Sequence, residues 1–547
     1  MGQDRHDGLP HLTNRSKRES MPDTLLHVPE GDHNPYDAVP WSRQPLEPLA
    51  DEPFRVGVRG TGHDGVVVEW RSASETGEAP LTLEGDTWIG HVGPFGDDGQ
   101  YRFVGSRGAV GESRTEWFPV PITRWQPIAF HSILPDTDRI LVVGDDAVLT
   151  LVPTADDALD WRLETTPPRQ GGSPATDHRS WSVRVADGGD VVVTRDSRQL
   201  ILRAARAQTG SATTAWRLGW ALDPAERLLG TGERYDRVDQ RGRGPDVRVY
   251  EQYKQQGSRT YFPAPWLVST RGYGLAIHGA ARARFDLGQT IGVEASVTVP
   301  TTGMASGRWY LGAPEEVLAA YVTDIGKPAP MPIWAYGPWM SGNEWDSDRR
   351  VREVVDRTLT EDIPATVLVI EAWSDESTFY LFNDTDYEPV DGSEPVPAGS
   401  MRHGGRWPDP KALVRWLHEH DIRLLLWQIP VLKDPGDHEQ QRRDIAFAED
   451  AGSCVTTTSG ESYRNRGWWF PGSRVIDFTN DRARDWWFAK RAYLLDDIGI
   501  DGFKTDGGEH LWGRDVVTAS GEVGDVAANG YPTHYLGAYH DFMRDHG

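Results

Sequence analysis

Cysteine is almost missing from this 547-residue chain: Cys454 is the single one. One thiol excludes an intrachain disulfide and a thiolate metal cluster, and makes a reducing compartment acceptable. Basic charge is also short. Asp and Glu number 82 against 57 Lys and Arg, a formal net charge of −25, which argues against nucleic acid or an anionic membrane as a partner. A neutral small molecule is the easier substrate, and the oligomeric state stays open. No apolar run approaches 18 residues, and the first twenty residues carry no apolar core of a secretory signal. A cytoplasmic location is therefore expected. His-Glu-x-x-His pairs and dinucleotide fingerprints are absent too, so neither a metal nor a cofactor is expected.

Tryptophan, in contrast, is abundant, with 23 residues. Indole faces stack on the C–H faces of sugars, but Trp is equally a core and rim residue of β-sandwiches, and the count leaves both open. A hydrophobic content of 38% and a mean hydropathy of −0.55 fit a globular chain of two or three domains.

The pattern divides the chain into four. Residues 1–45, rich in Asp, His, Arg, Pro and Ser without periodicity, read as a disordered tail. Residues 46–124 read as a small all-β module from runs such as Phe54 to Val58, Gly65 to Trp70 and Gln100 to Val104; a sugar-binding accessory and a packing spacer fit equally. Residues 125–325 continue the short-strand rhythm and read as a larger β-sandwich. Within it Gly230-Thr231-Gly232 lacks the following helix and the Gly-Lys-Ser/Thr ending of a phosphate loop. From 326 to 547, strands alternate with amphipathic helices, as in βα units around a parallel sheet. The strands are expected at Ala335 to Met340, Thr366 to Glu371, Arg423 to Gln428, Arg474 to Phe478 and Gly502 to Asp506. The helices are expected at Ser347 to Thr360, Pro410 to His420, Gln440 to Glu449, Arg482 to Asp496 and Tyr535 to Arg544. Asn383 to Glu388 is oxygen-rich but lacks the central Gly and distant Glu of an EF-hand, and reads as a solvated loop.

One segment carries the chemistry. Gly499-Ile500-Asp501-Gly502-Phe503-Lys504-Thr505-Asp506-Gly507-Gly508-Glu509 reads as a buried strand running into a lysine, two carboxylates and two glycines, the way a barrel strand presents a catalytic carboxylate. Lys504 emerges on the same strand face as Asp506, where its charge can stabilise the carboxylate and bind a hydroxyl.

These residues resemble glycoside hydrolase family 31, whose nucleophile motif is Lys or Trp, any residue, Asp, two residues, then Glu. Gly230 to Tyr235, Trp427-Gln428-Ile429-Pro430 and Ile476 to Asn480 are similar to further family landmarks in the same order. The resemblance implies N-terminal β-sandwich domains followed by a (β/α)8 barrel, and a retaining α-glycosidase that uses two carboxyl groups and no cofactor. It makes Asp506 the nucleophile and Lys504 a sugar ligand, with Glu509 in a supporting role orienting the Asp506 loop. Glu371 takes the position of a sugar-binding Asp with one more methylene, which puts the sugar specificity in question; Trp373 is the aromatic two positions on. Trp427 resembles a pocket-floor tryptophan, and Trp339 is a further candidate at the first strand's tip. By the same analogy Tyr253 to Arg259 borders the pocket.

The family's acid/base is an Asp in a Trp-Ser-Gly-Asp segment sixty or more residues after the nucleophile. Only 41 residues follow Asp506 and none forms that segment; Asp515 and Asp525 are weak substitutes. A (β/α)8 barrel takes about 250 residues, so five strands here imply a barrel only partly covered. The expected substrates are α-glucosides or α-xylosides, with α-galactosides behind them. Transglycosylase and lyase outcomes share the covalent step. A carbohydrate-binding or regulatory protein without catalysis is the rival reading.

Overall fold

A computed structural model describes residues 25–31, 39–108, 111–135, 138–155, 157–165, 181–251, 257 and 259–546. The chain forms two compact units, Met1–Gln126 with Ala207–Ala212, and Pro127–Arg206 with Thr213–Gly547.

The first unit is a small β-sandwich. One sheet runs Arg43–Gln44, Phe54–Arg59, Thr87–Val92, Thr82–Glu84; the other is built on Gly65–Ser72 and Gly99–Ser106. Alternating Val56, Val58, Val66, Val68, Tyr101 and Phe103 meet in its core, as period-2 patterning requires. The segment 1–45, expected as a tail, contributes its described residues here. Leu26 bridges Arg59, and His27 is buried between the Gly57 carbonyl at 2.6 Å and the Tyr101 hydroxyl at 2.7 Å. Its residues 1–24 and 32–38 lie outside the described residues.

The second unit starts with a large antiparallel β-sandwich. Its eight-stranded sheet runs Phe130–Pro135, Ile140–Gly144, Val148–Ala155, Ala158–Glu164, Ala305–Leu311, Tyr273–Ile277, Pro263–Ser269, Leu228–Gly232. The facing sheet contains Val191–Arg195 and Glu294–Pro300, and Trp161, Trp216, Trp220 and Trp309 fill the space between. Seven of the twelve largest fully buried side chains are tryptophans, these four among them, so much of the Trp count is core.

A four-stranded parallel sheet follows: β1 (Trp339–Gly342), β2 (Val367–Ile370), β3 (Arg423–Gln428) and β4 (Gly502–Thr505), in that spatial order. The helices are α1 (Asp348–Thr360), α2 (Pro410–Glu419), α3 (Glu439–Asp450), α4 (Asp481–Ala489) and α5 (Asp525–His546). Leu368, Ile370, Leu424 and Leu426 pack on Val351, Val355, Leu413 and Leu417 of α1 and α2. Val367, Val369 and Leu425 form a separate inner cluster. Burial on both faces explains why β2 and β3 are continuous apolar runs.

Three expectations are corrected. The first strand does not run from Ala335 to Met340: Ile333–Tyr336 forms a 3-10 turn and the strand is Trp339–Gly342. Arg474 to Phe478 is not a barrel strand: Arg474–Val475 pairs antiparallel with Val431–Leu432, because β3 bonds directly to β4, Leu425 opposite Gly502, leaving no slot between them. A short apolar run reveals burial but not the partner. The last helix begins at Asp525 instead of Tyr535. Gly530 and Pro532 depress propensity there, yet Ala527, Ala528, Tyr531 and Tyr535 are buried on one face, so packing overrides propensity.

Candidate active site

Strand register assembles the site. Ile370 lies opposite Leu426 and Trp427 opposite Lys504, so Glu371, one residue past Ile370, falls in the same row as Trp427 and Lys504. All share the parity of the inner cluster and project into the barrel at its C-terminal rim, where strand-end residues of this architecture act. Lys504 Nζ bonds Glu371 Oε1 at 2.7 Å and stands 3.8 Å from Asp506 Oδ2. Ser341, at the end of β1, donates to the same Glu371 oxygen at 2.6 Å; the extra methylene of Glu371 thus spans to both neighbours.

Asp506 is fixed from three sides. The Trp427 indole N–H donates to Oδ2 at 2.7 Å, the Gly507 amide to Oδ1 at 2.9 Å, and the Tyr535 hydroxyl to the Asp506 carbonyl at 3.2 Å. Gly507 has φ +75°, and a Cβ there would stand 2.6 Å from His510 Cε1, so only glycine turns the chain after the carboxylate. Behind Trp427, buried Gln428 donates to the Phe379 carbonyl at 2.9 Å and accepts from Arg491 Nε at 2.6 Å and the Tyr539 hydroxyl at 3.0 Å. Arg491 lies just past α4 and donates to the Trp487 carbonyl of that helix at 2.9 Å, so this network ties the end of α4, and α5 through Tyr539, to the pocket floor.

The cavity above Asp506 holds about 450 Å³ and is lined by Glu371, Glu376, Phe379, Trp427, Trp469, Phe470 and Lys504, among others, within the usual range for a small-molecule site. Phe379 meets Trp427 edge-on at 5.5 Å, Phe470 lies parallel to Trp427 at 6.4 Å, and Trp469 adjoins Phe470 at 5.3 Å. The result is an aromatic wall beside three carboxylates.

Not every expected residue reaches this cavity. Trp373 is fully buried against Phe382, and its indole N–H donates to the Trp427 carbonyl at 2.9 Å; it backs the floor. Trp339 opens β1 opposite Val367, at the end of the sheet remote from Glu371, because the strand tip lies three residues further on, at Gly342. Glu509 is buried in the loop that follows Asp506. Burial, with the charges of Glu251 and Asp506, pushes its carboxyl up to about 7, and its Oε2 has no hydrogen-bond partner among the described residues. Asp515 is held by Arg466 at 2.6 and 2.7 Å, and Asp525 by Arg248 at 2.7 Å, both outside the cavity lining. Tyr253 to Arg259 lies largely outside the described residues. In the oxygen-rich loop, Asp384 is paired with Arg406 and Asp386 with Arg402. Among the described residues no group of three or more His, Cys, Asp or Glu could hold a metal, and no helix is long and apolar enough to cross a membrane.

Sequence reading missed Glu376, Phe379, Trp469 and Phe470. The Trp468-Trp469-Phe470 triplet was the one visible signal for them. Their loops carry no periodicity, so only the fold brings them to the cavity. The Gly230-Thr231-Gly232 landmark acts indirectly. The Thr260 hydroxyl bonds the Glu233 carbonyl, and a Cβ on Gly232 would stand 2.1 Å from the Phe262 carbonyl. This places Tyr261, whose hydroxyl is pushed well above its usual range by burial and by Glu509 and Asp506, beside the nucleophile loop.

Comparison with known proteins agrees with this architecture. Residues 328–546 match the glycosyl hydrolases family 31 TIM-barrel domain, and residues 162–286 the glycosyl hydrolase 31 N-terminal galactose mutarotase-like domain. A 1,3-alpha-isomaltosidase of Kribbella flavida is 34% identical over 96% of this chain and 68% of its own length. An isomaltosyltransferase of Sporosarcina globispora is 30% identical over 95% of this chain and 52% of its own. The cycloalternan-forming enzyme from Listeria monocytogenes superposes with a TM-score of 0.82 at 28% identity, covering 96% of this chain and 54% of that one. The present chain thus spans between about half and two thirds of these relatives. With the strand-tip carboxylate, its lysine and the sandwich in place, the chain belongs to glycoside hydrolase family 31.

Proposed function

We propose that this chain carries the nucleophile and sugar-holding face of a retaining enzyme that releases or transfers an α-linked isomaltosyl unit. The carrying observation is the orientation of Asp506: with Trp427 on one oxygen and Gly507 on the other, the carboxylate is fixed at the cavity floor. An oxygen of Asp506 attacks the anomeric carbon, the bond to the leaving oxygen breaks, and a β-linked glycosyl ester results, as the retaining mechanism requires. Lys504 and Glu371, locked together, offer a donor and an acceptor to hydroxyls of the sugar at Asp506. Water or a second sugar then resolves the ester; the first outcome is hydrolysis, the second transfer. The names of two relatives matched over 96% and 95% of this chain, an isomaltosidase and an isomaltosyltransferase, favour the isomaltosyl unit. The α-xylosidases match at 24–25% identity over little more than half of the chain.

A 5-fluoro-α-glucosyl fluoride tests the nucleophile alone, because fluoride leaves without a proton from an acid. Intact-mass spectrometry is expected to show one added fluoroglucosyl group, mapped to the peptide containing Asp506 and absent from Asp506→Asn. Labelling that persists in Asp506→Asn would remove Asp506 as the nucleophile.

A further inference from the structure

Nine non-glycine residues of the described chain have left-handed φ: Asp51, Asp196, Thr231, Asp362, Glu376, Phe379, Asp384, Asp421 and Phe470. Five are aspartates, which tolerate this region because the short side chain bonds its own backbone. Of the remaining four, Glu376 at +53°, Phe379 at +57° and Phe470 at +53° line the same cavity. Each costs of the order of 1–2 kcal/mol, and strain of this kind concentrates where a site needs a particular geometry.

Glu376 stands out among the three. Its amide donates to Ser374 Oγ at 3.3 Å and its carbonyl accepts from Lys433 Nζ at 3.2 Å, so the backbone is pinned on both sides while the side chain is exposed at the cavity lip. The other two lining carboxylates are engaged, Glu371 with Lys504 and Ser341, and Asp506 with Trp427 and Gly507. The Glu376 carboxylate makes no hydrogen bond or close ion pair among the described residues; Arg406, itself paired with Asp384, attracts it only through space. Trp469 and Phe470 line the same cavity. A carboxylate without a close partner and an aromatic surface in one cavity suit a pyranose, which offers adjacent hydroxyls to the anion and a C–H face to the rings.

We propose that Glu376 determines specificity for the second sugar. Its carboxylate accepts hydroxyls of the glucosyl unit attached to the one at Asp506, and Trp469 and Phe470 support that unit's face. The left-handed turns at 376, 379 and 470 are the backbone that sets these three residues on the cavity lining. The assignment rests on the isomaltosyl reading above.

The test is titration of the full chain with isomaltose and, separately, with glucose, followed by ligand-observed NMR, for the unmutated protein, Glu376→Gln and Glu376→Gly. Glu376→Gln keeps the backbone and the volume; Glu376→Gly also relieves the strain. Isomaltose affinity is expected to fall about tenfold or more in both, the size of a lost hydrogen bond to a charged group, with glucose affinity unchanged and the melting temperature of Glu376→Gly raised. Equal isomaltose affinity in all three proteins, or a parallel loss for both sugars, overturns the assignment. Isomaltose binding no tighter than glucose in the unmutated chain overturns it too, while the glucosyl site stands. Binding of neither sugar to the unmutated chain overturns the underlying reading and the proposal with it.

Discussion

At the scale of single residues, the loop after Asp506 holds two buried titratable neighbours with opposite pH behaviour. Glu509, raised from 4.5 to about 7, keeps in the folded state a proton that the unfolded chain has released. Its stabilisation is complete below about 4.5 and is lost as pH rises through about 7, a change of the order of 2–3 kcal/mol. His510, lowered by burial from 6.5 to about 4, is neutral in the fold. Its stabilisation is complete above about 6.5 and is lost as pH falls through about 4. Between pH 5 and 7 the two slopes oppose each other. Glu509→Gln is expected to leave a protein whose urea midpoint falls more steeply on acidification across that range than the parent's. His510→Asn is expected to show a midpoint that rises instead. Parallel profiles for both variants and the parent would remove these residues from the pH response. Trp427 shows how one residue joins floor and site: its indole holds the Asp506 carboxylate, while its carbonyl receives the Trp373 and Gln428 donors.

At the scale of elements, the turn after β4 is the most constrained piece of the site. Gly507→Ala adds a left-handed Cβ that meets His510 at 2.6 Å, so a loss of about 2–4 kcal/mol is expected from backbone strain and overpacking together. Gly460→Ala, also left-handed but with open space around its Cβ, is expected to cost only about 1 kcal/mol. Urea midpoints measure both. Fluoroglycosyl labelling should slow in Gly507→Ala, since a shifted turn moves the main-chain amide that holds Asp506; unchanged labelling would show that this turn does not position the carboxylate. Strands β2 and β3 were legible as elements because continuous Val, Leu and Ile runs of this length admit few alternatives in an alternating βα pattern. The Arg474–Val475 ribbon was misread for the converse reason, since burial alone does not distinguish a central strand from an antiparallel ribbon.

At the scale of the second unit, the sandwich and the parallel sheet are joined through buried polar contacts. Arg248 donates to Asp525 at 2.7 Å and to the Leu511 carbonyl at 2.8 Å, and Asn529 to the Val247 and Ala280 carbonyls. Leu511 lies two residues beyond Glu509, so this junction braces the Asp506 loop from outside the barrel. The Arg248 side chain is 7% exposed and that of Asp525 39%, which places the pair between surface and buried limits. Arg248→Met is expected to cost roughly 1–3 kcal/mol, and Arg248→Met with Asp525→Leu to recover part of it, because Asp525, left in the single variant with only Arg282 at 3.5 Å, is then removed while Arg282 keeps Asp246. Thermal melts of the single and double variants form the test, and additive losses would show that the two residues do not act as a pair.

The sequence by itself determined the order of the β modules and the βα region, the approximate spans of four of the five helices, and the placing of Lys504, Asp506 and Glu509 at the end of a buried strand. Local periodicity and the glycines after Asp506 encode these directly. Only the tertiary structure decided that Glu371, Trp427 and Lys504 form one row, because register belongs to pairs of strands and not to any one of them. It also removed Trp373 and Trp339 from the cavity wall and put Glu376, Phe379, Trp469 and Phe470 there, since the direction in which a loop residue points follows from backbone turns that no sequence period records.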